Sequence, residues 1–129
     1  VVPFTGHSVI LVRQFRIALG KYILEAPAGK IEPGDIAVER AERELEEETG
    51  YRAGRMLPIG EVYSTVGFCS EKIHLFLAID LEKTEQRLEE EERIELVEVP
   101  MAEVRKRLRE HRFEDGKTVI GLYALLDYV

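Results

Sequence analysis

Tryptophan and asparagine are absent from this chain of 129 residues, glutamine occurs only at Gln14 and Gln86, and Cys69 is the one cysteine. A single thiol cannot close an intramolecular disulfide, and no Cys/His group has zinc-site spacing. An oxidising compartment is therefore not indicated, and a cytoplasmic location is expected. Long apolar runs are lacking too. The longest, at residues 9–12 and 73–79, fall far short of a bilayer span and are interrupted or flanked by polar residues, so neither a membrane-spanning nor a targeting segment is expected.

Positive charge is in short supply. Eighteen Lys and Arg against twenty-five Asp and Glu leave a formal charge of -7, which argues against a nucleic-acid partner, because such domains carry a basic face that neutralises phosphates. The acidic excess is nearly all glutamate and is concentrated at residues 44–48 and 89–92, where a divalent cation would have to be held. Few amides beside abundant Glu, Arg and Lys is a composition that leans toward thermophilic proteins.

What is present suffices for a core. A chain of this length buries one without disulfides or structural metals, and a single domain spanning 1–129 is expected. β-Branched and aliphatic residues at 8–15 predict a buried strand, and 22–25 a short second one. Pro27, Gly29, Pro33 and Gly34 then predict a loop. Asp35 is the expected N-cap of a helix running to about Thr49, with Gly50 as its left-handed C-cap. Further strands are predicted at 57–64, 72–81 and 94–99. Helices follow from about Pro100 to about His111 and over 118–129. Strands, helix, strands, helices is the order of a mixed sheet covered by helices.

Successive helical residues turn by about 100°, so Glu44 and Glu48 share a strip with Glu47 beside it, at the edge of the apolar stripe Val38, Ala41 and Leu45. Three carboxylates are expected to converge there, while Glu39, Glu42 and Glu46 face solvent. Like charges four residues apart destabilise a helix unless a cation bridges them, and Arg43 offsets part of the repulsion through Glu47. Oxygen-only ligands select hard cations, Mg²⁺ or Mn²⁺. His7, His74 and His111 share no metal spacing and are expected to be structural.

Residues 29–51 read GKIEPGDIAVERAERELEEETGY, which resembles the Nudix box, G-x5-E-x7-R-E-U-x-E-E-x-G-U with U bulky and aliphatic. Gly29, Arg43, Glu44, Leu45, Glu47, Glu48 and Gly50 fall on pattern; Asp35 replaces the first glutamate and Tyr51 the last aliphatic residue. Outside the box, VRQFRIA at 12–18, LEAPAG at 24–29, the 67–71 loop, FLA at 76–78 and DGKTVIGLYAL at 115–125 look like the ADP-ribose pyrophosphatase subgroup. Two features depart from it. Val66 stands where the subgroup has a proline before Gly67 and Phe68, and the chain starts at Val1 without the subgroup's further amino-terminal sheet.

The resemblance implies an α/β Nudix fold, a mixed β-sheet sandwiched between α-helices. It also implies Mg²⁺-dependent hydrolysis of the diphosphate of a nucleotide sugar, ADP-ribose to AMP and ribose 5-phosphate. Other substrates within the family are a dinucleoside polyphosphate, NADH or a nucleoside triphosphate, and a non-catalytic nucleotide-binding module is the alternative outside enzymes. Glu44, Glu48, the carbonyl of Ala28 and Glu92 would hold two or three Mg²⁺ ions, with Mn²⁺ able to substitute. Glu90 would act as base, Glu47 as an auxiliary to the metal set, and Arg43 beside it in the catalytic group. By the same resemblance the Asp35 position supports the loop rather than the metal. Arg16 is the candidate phosphate clamp, with Glu71, Phe68 and Gly29 as further substrate contacts, and a homodimer is implied.

Overall fold

In the computed structural model of the protein, residues 1–85 and 94–129 are described. Glu90 and Glu92, the expected base and fourth metal ligand, lie outside the described residues. Among the described residues the chain forms β1 (Val2–Pro3), β2 (Ser8–Arg16), β3 (Lys21–Glu25), α1 (Ala37–Thr49), β4 (Tyr51–Tyr63), β5 (Lys72–Lys83), β6 (Glu95–Pro100), α2 (Met101–Arg109) and α3 (Gly116–Tyr128).

Two three-stranded sheets result, ordered β1-β5-β4 and β3-β2-β6. The first is mixed, because β1 runs parallel to β5 while β4 is antiparallel to it; both pairings in the second are antiparallel. Phe4 joins the two, bridging to Val9 and donating its N–H to the Ala78 carbonyl at 2.9 Å. In β2 and β5, which are central, runs of consecutive buried residues replace the half-buried alternation of an exposed strand, as expected where both faces are covered. Helix α1 lies against β4 and β5, α2 against β6 and β2, and α3 against β5 and β1. The core between these layers includes Val2, Leu11, Leu77, Val104, Leu122 and Leu125.

The departures from expectation have local causes. Strand β4 begins at Tyr51 rather than Leu57: it is an edge strand whose first half pairs through its backbone and carries little apolar pattern. The edge position also accommodates Pro58, which has no N–H to give. Between Pro58 and Gly60 the register with β5 shifts, and this bulge precedes residues 62–64 on the wall of the cleft described below. Further back, Gly54 stands opposite Asp80, which adopts φ 54°; a Cβ on Gly54 would come within 2.8 Å of the Asp80 Cβ.

Helix α1 starts one residue later than an Asp35 cap would allow. Ile36 is the N-cap and gives no side-chain hydrogen bond. The Asp35 carboxylate turns back instead, accepting from the Glu32 N–H at 2.8 Å and from Arg40 Nε at 2.9 Å. At the other end Gly50 is left-handed, φ 73°, as expected. Helix α2 stops at Arg109, short of His111, whose φ of 56° ends the run. Helix α3 starts at Gly116, two residues earlier than expected, because the Asp115 side chain caps it by accepting from the Thr118 N–H.

Leu45 is the fully buried anchor of α1. Leu45→Ala should cost roughly 3 kcal/mol, within the range for emptying a well-packed leucine site. That loss corresponds to a fall of about 10 °C in Tm by thermal denaturation.

Candidate active site

The loop from Ala26 to Ile31, the start of α1, the ends of β4 and β5 and the first residues of α3 enclose a cleft of about 840 Å³, a size suited to a small ligand. Its centre is a contact made by a glycine. A Cβ placed on Gly29 would lie 2.1 Å from Glu44 Cδ and 2.3 Å from Glu44 Oε1. Only a residue without a side chain lets the loop backbone rest on that carboxylate. Ala28, the expected carbonyl ligand, is thereby carried to the same wall of the cleft as Glu44.

Glu44 is also held by Arg40, whose guanidinium lies 3.4 Å from Glu44 Oε1 and 2.9 Å from Asp35 Oδ2. Arg40 is mostly buried and joins loop to helix. The Glu32 N–H and then Arg40 hold the Asp35 carboxyl below the usual aspartate range. Asp35 thus braces the loop, the role the resemblance implies for its position. Glu48 is buried on the core side of α1, and its charge reaches Arg16, adding to the larger effect of Glu25 on that guanidinium.

Arg43 and Glu47 are not brought to the cleft. They pair with each other at 3.7 Å on an exposed flank of α1, as their i, i+4 spacing predicts, and Arg40 contacts Glu44. Among the described residues no group of three His, Cys, Asp or Glu is gathered closely enough to hold a metal. Glu44 and Ala28 line the cleft, and Glu48 lies one turn further along α1, buried and outside the lining; carboxylates and a loop carbonyl are oxygen donors of the kind a hard cation takes. Gly29 and Glu71 line the cleft as expected. Phe68 is not among the residues lining the cleft; it is 88% exposed, as Val66 two residues before it is 82% exposed.

Arg16 lines the cleft, but one edge of its guanidinium is committed. Nε and a terminal nitrogen donate to the two oxygens of Glu25, each at 2.7 Å. Glu25 is 2% exposed and also accepts from Lys117 Nζ at 3.0 Å. Lys117 donates in turn to Asp115 at 2.9 Å. The Thr118 hydroxyl donates to Asp115 and accepts from the Ala26 N–H at 2.8 Å. Burial alone would push the Glu25 carboxyl up; the hydrogen bonds and charges of Arg16 and Lys117 outweigh it and leave it below the usual range. Sequence reasoning passed over Glu25, Arg40 and Lys117. Arg40 stands four residues before Glu44 on α1, and Glu25 and Lys117 lie within the LEAPAG and DGKTVIGLYAL stretches quoted above without a role of their own.

The family model described as NUDIX domain matches residues 1–119. The chain belongs to the Nudix family. It is 40% identical over 120 residues to the ADP-ribose pyrophosphatase of Bacillus subtilis (strain 168), covering 92% of this chain and 65% of that protein. It is also 40% identical over 128 residues to the methanol dehydrogenase activator of Bacillus methanolicus, covering 97% and 69%. A GDP-mannose pyrophosphatase of Cronobacter sakazakii is 34% identical, with 92% and 66% covered. A crystal structure of an ADP compounds hydrolase superposes with a TM-score of 0.87 at 27% identity, covering 98% of this chain and 69% of that one. The chain thus spans about two thirds of the length of these Nudix relatives, 65% of the first. Among the described residues no helix is long and apolar enough to cross a membrane.

Two outcomes test this geometry. Gly29→Ala should displace Glu44 and lower Mn²⁺ affinity about 10- to 100-fold, the scale for disturbing residues that orient a ligand, with little change in Tm; titration followed by electron paramagnetic resonance reads it. Glu25→Gln should cost about 1.5–3 kcal/mol at pH 7, the worth of charge-assisted hydrogen bonds. Because the folded pKa of Glu25 lies below its ordinary value of 4.5, its contribution is full above that pH and is lost as pH falls through the folded value. Urea denaturation should therefore show wild type and variant drawing together below about pH 4.5.

Proposed function

We propose that residues 1–129 act as one Nudix hydrolase unit that cleaves the diphosphate linkage of a nucleoside diphosphate sugar. The reaction favoured is ADP-ribose to AMP and ribose 5-phosphate. The observation that carries this reading is the rest of Gly29 on Glu44 inside a ligand-sized cleft, since a soluble acidic helix has no need for a loop backbone against its carboxylate. The names of the relatives add support for the substrate class, and they differ in the nucleotide: ADP-ribose, GDP-mannose and ADP compounds.

In this reading the Ala28 carbonyl, Glu44, Glu48 and Glu92 hold Mg²⁺, or Mn²⁺ in its place, as two or three ions. When bound, the cations neutralise phosphate charge and bring the pKa of a water near neutrality. The chain's own residues then orient and move protons. Arg40 and Asp35 keep Glu44 and the loop in place. Arg16, with one guanidinium edge fixed by Glu25, offers its exposed edge to phosphate. Glu90, among the residues outside those described, takes the proton of the attacking water. Glu71 contributes a substrate contact from the end of the cleft. The assembly in this reading is a cytoplasmic homodimer, which sedimentation tests.

A substrate panel with Mg²⁺ decides the main point. Highest kcat/KM for ADP-ribose is expected, above GDP-mannose, NADH, dinucleoside polyphosphates and nucleoside triphosphates; a clear preference for a triphosphate would sink the assignment. Glu44→Gln and Glu48→Gln should each lower kcat by at least about 100-fold, roughly 2.7 kcal/mol of barrier, with nucleotide binding modestly changed. Unchanged rates in both would show that the carboxylates are not the metal ligands. Glu90→Gln should slow turnover on the order of 100-fold and more than Glu91→Gln; the opposite ranking overturns the choice of base.

A further inference from the structure

A second cavity, of about 330 Å³, lies where α2 and the residues that follow it meet the β3-β2-β6 sheet, and it shares no lining residue with the cleft. Its size is at the lower end of the range for small-ligand sites. Its charge is unusual in a chain of formal charge -7. Arg13, Arg107 and Arg112 line it against one carboxylate, Glu114, which is already paired with Lys21. Tyr22, Leu24 and Val97 supply most of the apolar wall.

Two of the arginines owe their place to the way α2 ends. The Arg112 N–H donates to the Arg107 carbonyl at 2.9 Å and the His111 N–H to the Leu108 carbonyl at 3.1 Å, with His111 left-handed at φ 56°. These bonds form a Schellman motif, with Arg107 in the last helical turn and Arg112 two residues past the C-cap Glu110. The motif commonly sets an apolar contact between the side chains at those two positions. Here both are guanidiniums, and both line the cavity. Like charges held close by a fixed backbone repel, and an anion between them removes that cost.

Arg13 approaches from β2. Its guanidinium stacks on the Tyr22 ring, 4.5 Å from the centroid, and Phe15 meets that ring edge-on at 5.3 Å. Stacking occupies the face of the guanidinium and leaves its edges for hydrogen bonds. Each arginine gives one bond to a glutamate outside the lining: Arg13 to Glu95 at 3.2 Å, Arg107 to Glu103 at 2.9 Å and Arg112 to Glu110 at 3.4 Å. A guanidinium carries more N–H donors than one carboxylate oxygen takes. Each therefore keeps donors without a protein acceptor among the described residues.

We propose that this cavity is a second anion site, in which Arg13, Arg107 and Arg112 donate to the oxygens of a phosphate group, either free or carried by a small sugar phosphate resting on Tyr22, Leu24 and Val97. The planar forks suit phosphate in two-point contacts, and a tetrahedral phosphate offers oxygens to more than one fork at once. The neighbouring glutamates keep the surroundings close to neutral, so selection rests on hydrogen-bond direction more than on net attraction. The inference needs neither hydrolysis nor the cleft and stands apart from the diphosphate reading.

The test is a titration of metal-free protein with inorganic phosphate and, separately, ribose 5-phosphate at constant ionic strength, followed by amide chemical shifts in ¹H–¹⁵N spectra. Saturable shifts are expected at Tyr22, Val97, Arg112 and Phe113. Arg112→Gln should raise the Kd read from those amides about ten-fold, the worth of one charge-assisted hydrogen bond, and Arg107→Gln should do the same if the first variant fails to fold. Arg112→Leu restores the usual apolar contact; it should be at least as stable as wild type without phosphate and should lose the gain in Tm that phosphate gives the wild type. Tighter binding of ribose 5-phosphate supports the site as one for a sugar phosphate, and equal binding supports it as one for free phosphate. No saturable shift at these amides with either compound, shifts that sodium chloride reproduces, or an unchanged Kd in the glutamine variants overturns the proposal.

Discussion

A carboxylate with 2% of its surface exposed, Glu25, is the constraint around which the rest of the molecule is arranged. A charge taken out of water is tolerated only with close, well-aligned partners, and loss of one partner leaves an uncompensated charge in the interior. Its partners come from two other elements, Arg16 at the end of β2 and Lys117 in the first turn of α3. The β3-β2-β6 sheet and the last helix are thus fastened at one point. The next residue, Ala26, is fixed by Thr118, so the loop leaves that point in a set direction. The loop reaches Glu44 at Gly29 because its origin is fixed there.

The second fastening lies across the loop. Arg40 spans Asp35 and Glu44, making the loop and the first half of α1 one piece, while Leu45 holds that helix on the β1-β5-β4 sheet. Both fastenings serve the geometry of a diphosphate cleft and neither touches the question of which nucleotide enters. The relatives show the same division. They share the fold over nearly all of this chain, and their names diverge in the compound acted on. Fold position and substrate choice are carried by different residues.

The sequence was most readable where a local rule applies. The spacing from Gly29 to Gly50, the C-cap, and the apolar strands at Ser8–Arg16 and Lys72–Lys83 each follow from neighbours in the chain. Elements defined by distant partners were not readable. β1 is two residues that exist as a strand only because β5 offers its edge, and the first half of β4 is held by backbone pairing without an apolar pattern. The Glu25 network was hidden for the same reason: Arg16 and Lys117 lie 9 and 92 residues from it. Helical periodicity was sound for Arg43 and Glu47, which pair at 3.7 Å on the exposed flank of α1, but it did not reveal that Arg40 meets Glu44 and Asp35 together. Asp35 was misread because its carboxylate has two partners in the loop and helix that compete with the capping position.

Gly54 and Asp80, far apart in the chain, meet across the β4–β5 pair. Asp80 sits at φ 54°, a conformation that β-branched residues resist, and Gly54 leaves the space that this turn of the backbone occupies. A side chain gained at 54 would meet the Asp80 Cβ at 2.8 Å and its carbonyl oxygen at 3.0 Å, so the backbone at 80 has to shift to admit it. The dependence runs one way: what residue 54 can be is set by the conformation at 80, whereas a glycine at 54 leaves residue 80 free to vary.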